Sequence, residues 1–230
     1  MDQNSEYGAY GNRSAFLFHE LIRQVIPNGE GRKEFKKGDH IFMEGKHANG
    51  LYCVLSGKVK ISRSGDGGKE QIVRLAGSRD VIGYRALLAG ETYRASAVAL
   101  EDTVVGFVPK KTFYDILHSN PEMSMGMMKL LSQDLDQSET KRVDIATKTV
   151  RERLAEVLLL LNKTYGTLED GKTLNINISR EDLSGMVGTA TEVLIRQLAK
   201  FKEEGLVETK GRRICILNTD ALLKVSTLHE

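Results

Sequence analysis

The segment ISREDLSGMVGTATEVLIRQLAKFKEEGLV, which begins at Ile178, constrains the fold of this chain more than any other. Its pattern predicts two short helices around a tight turn. Ser179 is placed to cap the first helix, with Asp182 three residues on as the second half of a box-like start. Leu183, Met186 and Val187 recur at helical spacing on one face. Gly188 supplies the turn, because positive φ costs glycine nothing. In the second helix Leu194, Leu198 and Phe201 lie at i, i+4 and i+7 and define a buried stripe. At roughly 100° per residue, Glu192, Ile195, Arg196 and Ala199 then face outward.

A helix that offers a Glu and an Arg one turn apart, near its start, suits the major groove of DNA. Arginine donates twice to guanine O6 and N7, and glutamate accepts from the cytosine amino group. Two other readings fit the same residues. Glu192 also completes a T-x-x-E capping box from Thr189, and Glu192–Arg196 is also an ordinary surface i,i+4 pair. The residues after this helix favour DNA. Gly205 ends the helix, Leu206–Thr209 and Ile214–Leu217 read as short strands, and Lys210, Gly211, Arg212 and Arg213 form the hairpin tip between them. A basic wing beside a helix-turn-helix is placed to touch phosphates. The formal net charge is only +2, so DNA affinity has to come from a local basic patch.

Upstream the periodicity changes. Residues up to Arg13 read as a loose polar tail, and Ser14–Val25 as a short helix with Phe16, Leu17, Leu21 and Val25 on one side. From Gly31 to Val108 short strands alternate with glycine turns: Ile41–Met43, Leu51–Leu55, Lys58–Ser62, Glu70–Arg74, Ala95–Ala99 and Thr103–Val108. Such spacing predicts an antiparallel sandwich or jelly roll. The GDGGK run inside it lacks both the phosphate-loop spacing and a following helix, and reads as a hairpin tip.

Lys110–His118 predicts one short helix, and Pro121 opens a long one. Met128, Leu131, Leu135, Ser138, Arg142, Ile145 and Thr149 follow a 3-4 spacing along it, the seam of a helix that pairs with its twin. Met123, Met125 and Met127 read as adaptable core. The seam turns polar at Ser138 and Arg142, as in a dimer that a ligand stabilises, with Glu139 and Glu152 as nearby acids; alternatively these residues lie off the seam. Val150–Thr164, with Leu154, Val157, Leu158 and Leu161, predicts a helix behind the second domain, and LNINI a strand leading into Ser179. The expected fold is α+β. An N-terminal antiparallel β-roll spans 14–120, a dimerisation helix 121–147 and a winged helix-turn-helix 148–230, with a hinge near Ala146–Val150.

Other classes find little support. His19, His40, His47, His118 and His229 are scattered without triad or metal spacing, so no enzyme and no metal centre are expected. Cys53 and Cys215 lie in apolar strand-like runs and read as buried thiols. The longest apolar run, around Leu154–Leu161, is too short to span a membrane, and nothing near Met1 resembles a signal peptide, so a cytoplasmic protein is expected.

Taken in order, FKKGDHIFMEG, LYCVLSGKVKI, GKEQIVRL with DVIGYRALL, and REDLSGMVGTATEVLIRQL resemble the CRP/FNR family of bacterial transcription regulators, over nearly the whole chain after Ser14. Gly38, Gly45, Gly57 and Gly83 stand where that family turns its cyclic-nucleotide-binding-like roll. The resemblance implies a homodimer on a two-fold symmetric double-stranded DNA operator, with RNA polymerase as a further partner. Glu192 and Arg196 match the family's base-reading pair, whereas Thr191 stands where cyclic-AMP-responsive members have arginine and Ile195 where oxygen-sensing members have serine. Ser179, Arg180 and Thr189 are candidates for phosphates at the helix N-termini, and Arg212 and Arg213 for phosphates at the wing.

The implied effector site departs further from the family pattern. After Gly83, Tyr84 replaces a glutamate; Arg94 is kept, but Ala95 replaces a serine. Each lost polar contact should weaken cyclic AMP by roughly 1–3 kcal/mol. Arg94, with Ser138 and Arg142 of the long helix, is left to hold a different small anion, or Arg94 serves an internal salt bridge. Two cysteines do not make an iron–sulfur ligand set, and a cysteine-and-histidine haem site has no support, so no cofactor is expected. The reading is a sequence-specific regulator switched by a small anion other than cyclic AMP, or one active without any effector.

Overall fold

A computed structural model describes residues 20–22, 31–65 and 70–226. The tail to Arg13, most of the Ser14–Val25 helix and the core of the GDGGK tip lie outside the described residues. Glu20–Ile22 are described and helical, with Leu21 fully buried. The chain divides into two compact units, after Asp136 within the long helix.

The first unit is built on two four-stranded antiparallel sheets. Strands β1 (Arg32–Phe35), β8 (Thr103–Pro109), β3 (Gly50–Ser56) and β6 (Val81–Ile82) form one, in that order. Strands β2 (His40–Phe42), β7 (Ser96–Ala99), β4 (Val59–Ser64) and β5 (Glu70–Ala76) form the other. β3 is central, and Gly50 to Val54 are buried whichever face they point to, which is why LYCVL reads as a continuous apolar run. Helices α1 (Tyr84–Ala89), α2 (Lys110–Ser119) and the first part of α3 (Pro121–Thr147) complete the unit. Phe113, Ile116, Met123, Met127 and Leu130 of these helices join the core of the roll.

Three elements of this unit escape the sequence reading. β1 is an exposed edge strand without apolar alternation, held to β8 by backbone pairing from Arg32–Gly106 to Phe35–Thr103. β6 is two residues long, and α1 is a helix of six residues. β6 and α1 are too short to display a period, and β1 has Phe35 as its one apolar position, which marks none. α1 starts because Gly83 takes φ 87°, a left-handed turn that lets the chain leave β6 and enter the helix at once.

The second unit contains the end of α3, α4 (Val150–Tyr165), α5 (Arg180–Val187), α6 (Thr191–Glu203), the hairpin β9 (Val207–Lys210) and β10 (Arg213–Ile216), and α7 (Thr219–Ser226). Thr149 opens α4 with a reciprocal capping box: its hydroxyl accepts from Glu152 N, and the Glu152 carboxylate accepts from Thr149 N at 2.6 Å. Two expectations change here. Thr149 lies beyond the end of α3 and caps the next helix, so it is no part of the seam. Glu152 is committed to that cap and is not available to an arginine of the seam.

α4 buries Leu154, Ala155, Leu158 and Leu161 and packs on α5, α6 and α7. Arg151 ties it to α6 twice, through a two-pronged bond to Glu204 and through its guanidinium over the Phe201 ring, 4.9 Å from the centroid. LNINI alternates as expected, with Leu174, Ile176 and Ile178 buried and the asparagines exposed. It is nevertheless extended chain and not a strand. Only its start is bonded to the wing, where Leu174 N donates to Ile214 O at 2.9 Å.

Candidate nucleic-acid interface

Three groups position helix α6. The Ser179 hydroxyl accepts from Asp182 N at 2.9 Å and starts α5. Gly188 ends α5 at φ 72°, ψ 49°, the left-handed conformation that reverses the chain within one residue. Leu194, Leu198 and Phe201 then anchor α6 in the core. Glu192, Ile195, Arg196 and Ala199 are all exposed, so the outward face is the one that the helical spacing predicts. The T-x-x-E capping box does not form: α6 is capped by Ala190, without a side-chain bond. Among the described residues, no ion pair engages Glu192 or Arg196, which leaves both heads for a ligand. Glu192 in the first turn and Lys200 and Lys202 in the last also match the helix dipole.

Thr191 and Arg180 are used differently from their neighbours. Thr191 Oγ1 lies 3.0 Å from Ser184 Oγ, a bond that links α6 back to α5. Arg180 Nη2 donates to Gly211 O at 2.9 Å, which ties the start of α5 to the wing tip, and burial lowers the guanidinium pKa. Thr189 is half-buried in the turn, and its N–H donates to Ser184 O at 3.1 Å. In the wing, Arg213 pairs with Lys210 across the hairpin, Gly211 and Arg212 form the tip, and all four are exposed. A helix face carrying an acid and an arginine, beside an exposed cluster of cations, can read base edges and touch phosphates together.

In the roll, Tyr84 is 1% exposed, and its hydroxyl donates to Asp134 Oδ2 of α3. Gly83 caps α1 and Ala95 is half-buried. Arg94 is on the surface, its side chain 72% exposed, and it binds Glu91 with Nε at 2.7 Å and Nη2 at 3.0 Å. Ser138 and Arg142 are exposed on α3, and Arg142 lies 3.8 Å from Glu139. The bond from Arg94 is thus a local surface pair, not an internal bridge to a buried acid.

A model of the cyclic nucleotide-binding domain matches residues 32–120, and one of the Crp-like helix-turn-helix domain matches residues 152–225. The chain belongs to the CRP/FNR family of transcription regulators. The Fumarate and nitrate reduction regulatory protein of Escherichia coli K12 is 28% identical over 211 residues, 90% of this chain and 83% of that regulator. The CRP-like cAMP-activated global transcriptional regulator of Mycobacterium tuberculosis H37Rv is 25% identical over 205 residues, 89% of each chain. The structure of FixK2 from Bradyrhizobium japonicum shares the fold, with a TM-score of 0.74, 23% identity, and 85% of this chain and 96% of that one covered. Domains and relatives alike indicate a transcription regulator. Among the described residues no helix is long and apolar enough to cross a membrane.

Two arginine-centred arrangements in this CRP/FNR protein escape the sequence reading. Arg153 donates to Val187 O at 2.9 Å and Gly188 O at 3.3 Å, and also to Ile145 O and Lys148 O. It places one cation at the C-terminal ends of α3 and α5, where the unpaired carbonyls and the helix dipoles favour it. In the roll, Asp134 accepts from Arg85 Nε at 2.9 Å as well as from Tyr84, and Arg74 Nη1 donates to Tyr84 Oη at 3.3 Å. Burial, reinforced by the Asp134 carboxylate against the opposing Arg74 charge, raises the Tyr84 pKa, so the phenol stays protonated and donates. Burial works against the Arg74 charge, but Tyr84, Asp80 and Asp134 beside it outweigh that and raise its pKa. No sequence period marks these residues, because each is defined by what the fold brings beside it.

Proposed function

We propose that this chain acts in the cytoplasm as a homodimeric, sequence-specific regulator that reads a two-fold symmetric operator. The observation that carries the reading is the exposed Glu192 and Arg196 on the outward face of α6, neither held in an ion pair, beside the cations of the wing. Arg196 donates to a guanine, Glu192 accepts from a cytosine, and Arg212 and Arg213 take phosphates. Ser179 and Thr189 serve phosphates at the two helix starts, while Arg180 supports the wing from behind. The two recognition helices enter major grooves about one helical turn apart, and the regulator then acts on RNA polymerase.

The dimer reading rests on α3. Met128, Leu131 and Leu135 project from it, 53%, 37% and 60% exposed, at the 3-4 spacing of a seam, while Met123, Met127 and Leu130 turn inward to the roll. An amphipathic helix with two apolar faces has one left for a second copy.

Control without cyclic AMP follows from the roll. One relative carries cAMP activation in its name, but here Tyr84 fills its place with a phenol bonded inside the protein, and Ala95 offers no hydroxyl. The buried partner of Tyr84 and the surface pairing of Arg94 with Glu91 favour a regulator that binds DNA without a small molecule. A small anion that displaces Glu91 from the exposed Arg94 is the second form of control. Titration calorimetry with cyclic AMP should show no binding at micromolar concentrations.

Selection of sites from a random duplex pool by the purified protein tests the function directly. A symmetric site with paired G·C positions is expected. Arg196→Ala should weaken the selected site by about 1–3 kcal/mol and relax preference at one G·C pair in each half. Arg212→Ala and Arg213→Ala should flatten the salt dependence and leave the sequence preference intact. Uniform weakening by Arg196→Ala on all sequences would remove base reading from α6.

A further inference from the structure

The reading face of α6 holds a third side chain that neither charge nor hydrogen bonding explains. Ile195 is 50% exposed, three residues after Glu192 and adjacent to Arg196, on the same outward face. The nearby polar candidate is already engaged. Thr191, one turn before Ile195, has its hydroxyl against Ser184, which is 5% exposed, so this group is held inside the helix pair and not offered to a base. The outward face therefore presents an acid, an arginine, and between them a branched apolar group.

We propose that Ile195 selects a thymine by contact with its 5-methyl group. The inference rests on the DNA-reading role of α6. Of the groups that base pairs display in the major groove, the thymine methyl is the apolar one, and aliphatic side chains recognise it by contact. The position fits. With a rise of about 1.5 Å per residue, Ile195 stands about 4.5 Å along the axis from Glu192 and about 1.5 Å from Arg196. Base pairs repeat about every 3.4 Å. The methyl it meets thus belongs within about two base pairs of the guanine that Arg196 contacts. The side chain is also suited to the task, because a β-branched residue in a helix keeps essentially one χ1 rotamer and loses little freedom on contact. The half-site gains a T·A preference that no hydrogen bond of the protein supplies, next to the G·C pair set by Glu192 and Arg196.

The experiment replaces each thymine of the selected duplex by deoxyuridine, one symmetric pair at a time. This removes the methyl and leaves every hydrogen-bonding group in place. Binding is measured for the full-length protein and for Ile195→Ala, a surface change that leaves the anchors Leu194, Leu198 and Phe201 untouched. One thymine within two base pairs of the Arg196-dependent G·C pair should lose about fourfold in affinity per half-site with the unaltered protein, the loss expected for one buried methyl. With Ile195→Ala, thymine and uracil at that position should bind equally. A selected site with an Arg196-dependent pair but no methyl-sensitive thymine beside it would overturn this proposal alone. So would a methyl effect that persists in Ile195→Ala. Failure to select any sequence would overturn the parent reading, and this one with it.

Discussion

Replacing Asp134 by asparagine separates charge from shape in the buried network of the roll. The residue is 7% exposed, and its Oδ2 accepts from the Tyr84 hydroxyl and from Arg85 Nε at 2.9 Å. Arg74, largely buried, touches the same phenol and lies 3.6 Å from Asp80. The Arg85 side chain is 58% exposed, so water screens part of its loss, but Tyr84 and Arg74 have no such recourse. A hydrogen bond to a charged group is worth about 1.5–3 kcal/mol, and Asp134→Asn should cost about 2–3 kcal/mol. Asp134→Ala removes the acceptor too and leaves the buried Tyr84 hydroxyl with nothing to donate to, for about 3 kcal/mol. Tyr84→Phe removes one donor, for about 1–2 kcal/mol.

Because Tyr84 and Asp134 bond directly, the two changes should couple by about 1–2 kcal/mol in a double-mutant cycle. Urea denaturation measures the total. Hydrogen–deuterium exchange assigns it, with faster exchange in α1 and in α3 around Asp134 and unchanged rates in α5 and α6. Additivity of Tyr84→Phe and Asp134→Asn within about 0.5 kcal/mol would refute the reasoning, as would exchange that rises equally in both compact units.

Three further outcomes are expected of the same structure. Arg153→Ala should destabilise the second unit by about 2–3 kcal/mol, since one cation serves carbonyls of Val187, Gly188, Ile145 and Lys148; thermal unfolding checks this, and Arg153→Lys should recover little, because an ammonium cannot span that set. Gly188→Ala should cost about 1–2 kcal/mol, as φ 72° disfavours a Cβ that would also meet Ile145 Cδ1 at 3.3 Å; a neutral result in urea would show that the turn can relax. Burial pushes the Cys53 thiol from 9.0 up to about 12 and raises the phenols of Tyr84, Tyr52 and Tyr93. The folded chain therefore holds these protons longer than the unfolded one, so their contribution is complete below about pH 9 and is lost as pH rises toward 12. The denaturation midpoint should fall between about pH 9 and 11, less so in Cys53→Ala; a flat or rising midpoint would contradict the sign.

Elements whose side chains repeat were legible in the chain alone. Leu194, Leu198 and Phe201 announce α6 and its buried side, and therefore its outward side. The short apolar runs between glycine turns at β3, β4 and β8 announce the roll, and Gly188 and Gly211 announce turns that other residues would strain. In each case the information is local, a period or a single φ, and neighbours along the chain express it. Family motifs carried the same elements further, to Glu192 and Arg196 as candidates for reading bases from a known kind of helix.

The partners that polar groups take emerged only with the packed fold. Arg94 and Tyr84 looked alike in sequence, as remnants of one ligand site. The fold sends Arg94 to a surface pair with Glu91 and buries Tyr84 against Asp134, fifty residues away. Thr191 and Arg196 sit on the same helix, yet one hydroxyl is turned to Ser184 while the guanidinium stays free of ion pairs among the described residues. Thr149 fits the seam spacing but caps the next helix, because the chain turns between Thr147 and Val150. Arg153, which holds the end of the long helix to the turn before α6, leaves no trace in any period. A hydrogen bond depends on where two distant segments meet, and that is settled only when the apolar faces have packed.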